Sequence, residues 1–245
     1  MDTSPANPQL IRFSANTQGR DFAVGDIHGC FTALQQALDH INFNPTKDRL
    51  FSVGDLVDRG PESNLVLDWL NRPWFHAICG NHDFMIWRSA LGDPYTEVNY
   101  VDHGGDWLDK LDHDRQRRVG ERLAKLPLAI EVETPEGLVG MVHADCPYDD
   151  WQDMQNQPLS ISAIDCCLWS RDRYLRNYVA HIRNVRAVIH GHITIDKVQK
   201  LGNAIYIDTG GWRTDRGYFT FLDLQTLAPT SGPGPAIPFI PRRYR

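Results

Sequence analysis

The sequence predicts an α/β fold of two packed, mixed β-sheets flanked by helices. Three observations carry this. The first half alternates short apolar runs with segments of helical periodicity. Beyond residue 125 the chain turns mainly to strand-like runs. Five polar clusters each follow an apolar run directly, at the sheet edge where α/β folds present their ligands.

The elements follow in order. Residues 1–18 are polar, bear proline and lack periodicity, and are expected to form a loose arm. "DFAV" (21–24) reads as a strand. Phe31, Leu34, Leu38 and Ile41 then recur at helical spacing. "RLFSV" (49–53), a helix over 63–71, "WFHAIC" (74–79) and a helix over 83–91 complete a βαβαβα pattern. Such a pattern predicts parallel strands with right-handed crossovers. Residues 105–125 are charged and helical. "LAIEVET", "GLVGMVHA", "VRAVIH", "NAIYIDT" and "GYFTFLDL" are strand-like, interrupted by one helix over roughly 161–177. The expected domain spans 19–227. A tail over 228–245, with five of the fifteen prolines, is expected to be extended or disordered.

Composition narrows the function classes. Apolar residues make up 42% of the 245 and charged residues 23%, ordinary values for a globular domain. A net charge of −6 lacks the basic excess that a nucleic-acid partner calls for. No apolar run approaches the length needed to span a bilayer, so no membrane partner is expected. The N-terminus has neither the basic region nor the apolar stretch of a signal peptide. Five cysteines at irregular spacings argue against a disulfide framework, and a cytoplasmic location is expected.

The clusters are "GDIHG" (25–29), "GDLVDRG" (54–60), "GNHD" (80–83), "HAD" (143–145) and "GH" (191–192). Asp26, Asp55 and Asn81 lie 29 and 26 residues apart, about one βαβ unit each, so parallel strands would bring them together. Any one cluster alone reads as a polar turn; five at successive strand ends read as a site. The side chains offered are carboxylate, amide oxygen and imidazole, without thiolate. That set suits Mn²⁺, Fe or Zn²⁺ rather than a cysteine-held structural zinc. Six ligands are too many for one open catalytic ion, and suit two divalent ions sharing a carboxylate.

This combination, over about residues 20–222, resembles the phosphoprotein-phosphatase family of metallophosphoesterases, in particular the short bacteriophage and bacterial serine/threonine protein phosphatases. The resemblance implies the αββα sandwich of that family. It implies that Asp26 and His28 hold a first metal, that Asp55 bridges, and that Asn81, His143 and His192 hold the second, the ions most often being Mn²⁺. His190, two residues from His192, is read as a core or supporting histidine. Asp58 would orient His82 as general acid, Arg59 would grip the phosphate, and "WSR" would supply Arg171 as a further phosphate-binding group. Arg173 is the runner-up to Arg171 for that role, with a solvated helix residue as the preferred reading, and Cys79 and Cys146 are read as packing residues. The implied activity is hydrolysis of phosphoserine or phosphothreonine, with phosphotyrosine as a further candidate, in a phosphorylated protein or peptide partner, by attack of a hydroxide bridging two metals. "CGNHD" departs from the usual "RGNHE" at Cys79 and Asp83. It keeps a second reading open, that of a symmetrical diadenosine tetraphosphate hydrolase. Asp58, "HADCPYDDW" and "WSR" favour the phosphatase.

Overall fold

The computed structural model describes residues 7–92 and 100–232. Its strands are β1 (Leu10–Phe13), β2 (Asp21–Val24), β3 (Arg49–Ser52), β4 (Phe75–Ala77), β5 (Ala129–Thr134), β6 (Gly137–Val142), β7 (Ala187–His190), β8 (Gln199–Leu201), β9 (Ala204–Tyr206), β10 (Thr220–Asp223) and β11 (Pro229–Ser231). Its α-helices are α1 (Phe31–His40), α2 (Val66–Leu70), α3 (Asn81–Ala90), α4 (His113–Leu123), α5 (Trp151–Asn156), α6 (Ile161–Trp169) and α7 (Asp172–Leu175). One sheet has the order β11-β10-β2-β3-β4, the other β1-β5-β6-β7-β9-β8. The expected pair of mixed sheets flanked by helices is what the chain forms.

Alternation along the strands divides the core. On β2, Phe22 and Val24 face the helices, whereas Ala23 joins Phe51, Ile130, Met141, Ile189, Ile205 and Leu222 between the sheets. Strands buried on both faces read as continuous apolar runs, which explains "DFAV" and "RLFSV". The outer face of the second sheet is covered by α5 and α6, through Trp151, Met154 and Cys167. Trp151 is fully buried, and its indole N–H donates to Glu131 Oε2 at 2.8 Å.

Three expectations are corrected. Part of the supposed loose arm is an edge strand: β1 pairs in parallel with β5, from Leu10↔Ala129 to Phe13↔Val132. Asn7 anchors its start by donating to the carbonyls of Leu123 and Leu126. A four-residue strand is too short for alternation to announce it. The expected helix over 161–177 is broken at Ser170, whose ψ of 139° is extended, into α6 and α7. Within the tail, β11 pairs antiparallel with β10. Residues 1–6 and 233–245 of the expected arm and tail lie outside the described residues.

β4 carries a pH-sensitive packing contact. The His76 ring lies against Phe13 and Phe51, with centroids 4.5 and 5.1 Å away. Burial, then the Arg49 charge, pushes its pKa from 6.5 down to about 4. Below pH 6.5 the unfolded chain takes up a proton that the folded chain refuses until about pH 4. Stability should therefore fall as pH drops through that window, by up to about 3 kcal/mol. Urea unfolding at pH 7 and pH 5 checks this: His76→Phe should lose less than the parent on acidification. An equal loss in both would remove His76 as the cause.

Candidate metal centre

Six parallel strand ends meet across the sandwich. β2, β3 and β4 run parallel in one sheet, and β6, β7 and β9 in the other. Asp26, Asp55, Asn81, His143, His192 and Asp208 follow them in that order. Cross-strand hydrogen bonds lock the turns: the amides of Ile27 and His28 both donate to the Asp55 carbonyl, at 3.0 and 2.8 Å. The Gly191 amide donates to the His143 carbonyl at 2.9 Å. Between the sheets, His143 Nδ1 reaches the Val53 carbonyl at 2.7 Å, and the His192 amide donates to both Asp26 oxygens at 3.2 Å.

The turns are strained where they carry function. His28, Asp55, Asp58, Arg59 and His192 all have positive φ, between 46° and 71°. This is a region that non-glycine residues seldom adopt, and it turns their side chains into the cleft. Gly80 lies so close to Asp55 that a Cβ would overlap the Asp55 amide and carboxylate. Asp83, at the start of α3, ties the same turns together. Its carboxylate accepts from the Leu56 amide at 3.0 Å and the Gly80 amide at 2.9 Å.

Two clusters of ligand atoms share Asp55. His28, Asp55 and His82 form one, Asp55, His143 and His192 the other, with all ligand atoms of each within 4.8 Å of one another. His28 Nδ1 donates to the Val57 carbonyl at 2.8 Å, so its Nε2 lone pair faces inward, 3.5 Å from Asp55 Oδ2 and 4.0 Å from Asp26 Oδ2. His143 Nε2 lies 3.4 Å from Asp55 Oδ1. Asn81 Oδ1 stands between His143 Nε2, at 2.9 Å, and His192 Nδ1, at 3.0 Å. The structure thus brings Asp26, His28, Asp55, Asn81, His143 and His192 together. Asp26 borders the first triad without completing it, and His82 takes that place.

Charge at this point calls for a cation. Burial, then the neighbouring Asp208 and Asp55 carboxylates, pushes Asp26 well above the usual carboxylate range. Burial would also raise Asp55, but His143 and His82 hold it well below. Burial opposes charge on His143, yet the Asp55 carboxylate keeps its pKa up at about 9. The chain alone therefore compensates its buried carboxylates with a proton on His143. Burial pushes His28 down and His192 down to about 3, leaving both rings neutral, as a metal ligand must be. Carboxylate, amide oxygen and neutral imidazole around one shared carboxylate fit a pair of divalent ions.

Beside the triads stands a hydrogen-bonded dyad. His82 Nδ1 donates to Asp58 Oδ2 at 2.8 Å. Arg59 spans two rings: Nη1 lies 2.7 Å from His28 Nε2 and Nη2 3.0 Å from His82 Nε2. Its guanidinium rests on the Trp212 ring, 4.5 Å from the centroid. Arg171 reaches His192, Nε to Nε2, at 3.3 Å. A cleft of about 370 Å³ opens here, lined by Asp55, Arg59, Asn81, His82, His103, Trp169, Arg171 and His192. Of the ten residues given metal, proton or phosphate roles from the sequence, Asp55, Arg59, Asn81, His82, Arg171 and His192 line this cleft, and Asp26, His28, Asp58 and His143 each contact one of them.

Other residues escaped the sequence reading. Asp208 carried a usable signal, because "DTG" repeats the pattern of an aspartate after a strand. It is buried and accepts from Thr194 Oγ1 at 2.8 Å. His103 and Trp212 carried none, whereas Trp169 stands in the "WSR" read for Arg171. Arg173 is corrected: it is not solvated but buried, and its Nε pairs with Asp145 at 3.1 Å. His190 is buried, with Nδ1 bonded to the Val142 carbonyl at 2.9 Å and its ring stacked on Tyr206. Cys79 is fully buried and Cys146 nearly so, as packing residues should be.

The family model for calcineurin-like phosphoesterases matches residues 22–196, which span every triad residue. The chain belongs to the calcineurin-like phosphoesterases. Within that family it is 39% identical over 213 residues to the serine/threonine-protein phosphatase 2 of Salmonella typhimurium, covering 83% of this chain and 94% of that protein. It is 30% identical over 181 residues to the symmetrical bis(5'-nucleosyl)-tetraphosphatase of Methylococcus capsulatus, covering 66% of this chain and 64% of that one. A crystal structure named as a candidate diadenosine tetraphosphatase superposes with a TM-score of 0.65 at 21% identity, over 93% of this chain and 98% of the other, a likeness of fold. No described helix is long and apolar enough to cross a membrane.

Proposed function

We propose that this phosphoesterase hydrolyses phosphoserine and phosphothreonine monoesters in proteins, in the cytoplasm, with two Mn²⁺ ions. The observation that carries the reading is the Asp58–His82 dyad, 2.8 Å long and set at the cleft beside Asp55. A phosphomonoester of serine leaves as an alkoxide, a poor leaving group that needs a proton. A dinucleoside polyphosphate leaves as a phosphate and needs one far less. Near-full-length similarity to a named serine/threonine phosphatase supports the same choice.

Asp26, His28 and Asp55 would hold one ion, and Asp55, Asn81, His143 and His192 the other. Bound there, divalent ions supply a lowered pKa for water and positive charge for the phosphoryl oxygens. The chain does the rest. Arg59 and Arg171 turn their N–H donors from the ring nitrogens to the phosphate oxygens and hold phosphorus in line for attack. The attacking oxygen gives one proton to solvent and bonds to phosphorus as the ester P–O bond breaks, and the leaving oxygen takes the proton of His82 Nε2, which solvent then restores. Asp58 keeps His82 oriented through the Nδ1 contact. Among the described residues no cysteine or serine lines the cleft, and the reading involves no covalent phosphoenzyme.

A dinucleotide hydrolase is the second reading, favoured by Cys79 and Asp83 of "CGNHD" and by the tetraphosphatase relative. Metal-stripped protein given Mn²⁺ should release phosphate from a phosphoserine or phosphothreonine peptide and leave diadenosine tetraphosphate largely intact. Preferential cleavage of the dinucleotide would replace the first reading by the second.

A further inference from the structure

Asp58 is fully buried, and each of its oxygens has a separate donor. Oδ2 accepts from His82 Nδ1 at 2.8 Å. Oδ1 accepts from the indole Nε1 of Trp107, also at 2.8 Å, although the two residues lie 49 positions apart. The Asp58 amide donates to Ser63 Oγ at 2.9 Å, which fixes the backbone beneath. Trp107 belongs to a connecting stretch between two short 3₁₀ turns, Tyr100–His103 and Leu108–Lys110. The same stretch brings His103 to the cleft, with its ring 5.8 Å from that of His82, and sets Gly104 against the Arg59 backbone. It therefore walls the dyad through Trp107 and His103.

We propose that Trp107 is a positioning residue: its indole N–H locks the Asp58 carboxylate so that His82 presents Nε2 to the leaving oxygen. A buried carboxylate with one oxygen unpaired is costly, and it turns or captures another donor to relieve this. Either response pulls Oδ2 from its line with His82 Nδ1. Indole suits the task because it donates and never accepts, so it offers no competing partner to the imidazole. The inference rests on the proposed role of His82 as proton donor to an ester oxygen.

Leaving-group dependence separates this role from packing. p-Nitrophenolate departs with little protonation, whereas the serine alkoxide needs the proton. In Trp107→Phe, which keeps an aromatic ring but no donor, kcat for a phosphoserine peptide should fall about 10- to 100-fold with KM nearly unchanged. With p-nitrophenyl phosphate the fall should stay within about threefold, the leaving group requiring little acid assistance. Adding Trp107→Phe to Asp58→Asn should produce no further loss on the peptide, because both act through one contact. Equal losses on both substrates, or additive losses in the double variant, would overturn the proposal. An NMR readout needs no turnover and no Trp107 variant. The Trp107 indole N–H signal should be protected from solvent exchange in the parent protein and lose that protection in Asp58→Ala, which removes the acceptor. A freely exchanging indole in the parent would also overturn the proposal. Failure of the parent to hydrolyse any phosphomonoester would instead overturn the functional reading, and the indole signal would still decide the contact.

Discussion

Asp55→Asn is expected to lower kcat/KM on a phosphopeptide by about 1,000-fold or more, the scale on which metal ions stabilise such reactions. Bound metal should fall from two ions per chain to one or none. Asp55 is the one residue common to both ligand triads, with Oδ2 3.5 Å from His28 and Oδ1 3.4 Å from His143. An amide offers one neutral oxygen where the carboxylate offers two charged ones. The change is nearly isosteric, and Asn keeps an oxygen for the His82 amide, which now donates to Asp55 Oδ1 at 2.9 Å. The fold should therefore survive. Metal analysis after dialysis, circular dichroism and turnover on one preparation would check the three parts together. Full activity with both ions retained would show that Asp55 is not the shared ligand.

Arg173→Met should be the most destabilising change away from the cleft, by about 3–5 kcal/mol. Arg173 is buried and directs Nε to Asp145 at 3.1 Å and Nη1 to the Ala180 carbonyl at 2.9 Å. Methionine fills similar space but leaves the buried Asp145 carboxylate without its partner. For a domain of this size the midpoint of thermal unfolding should drop by about 10 °C. Replacing both partners, as in Arg173→Met with Asp145→Leu, should recover much of the loss, because the unpaired charge then disappears. A double variant as unstable as the single one would move the cause to the carbonyl contacts. Arg173 also anchors the segment that carries Arg171, so the single variant should raise KM for phosphorylated substrate.

The fold and the gathering of polar side chains at the strand ends could be read from the chain because both are local patterns. A strand buried on both faces must be apolar throughout, and "DFAV" and "RLFSV" announce β2 and β3 for that reason. A turn that aims a polar side chain back over a strand end recurs as glycine beside aspartate, asparagine or histidine; four such turns marked Asp26, His28, Asp55, Asn81 and His192, and "HAD" marked His143 without a glycine. Short edge strands gave no such sign. β1 and β11 exist because a neighbouring strand offers free backbone groups, not because their own sequences alternate.

Only the tertiary structure decided the partnerships. Nothing in "GDLVDRG" points to Trp107, nothing in "HAD" to Arg173, and nothing near Arg59 to Trp212, which lies 153 residues away. The first two contacts join a buried charge to a group brought to it by packing of distant segments, and the third seats the exposed Arg59 guanidinium on a distant ring. Burial makes the partner obligatory, because an unpaired charge inside a protein is too costly to keep. Which residue answers the demand depends on where the folded chain places its side chains. The sequence determined that these charges stand at strand ends; the tertiary structure decided what neutralises and orients them.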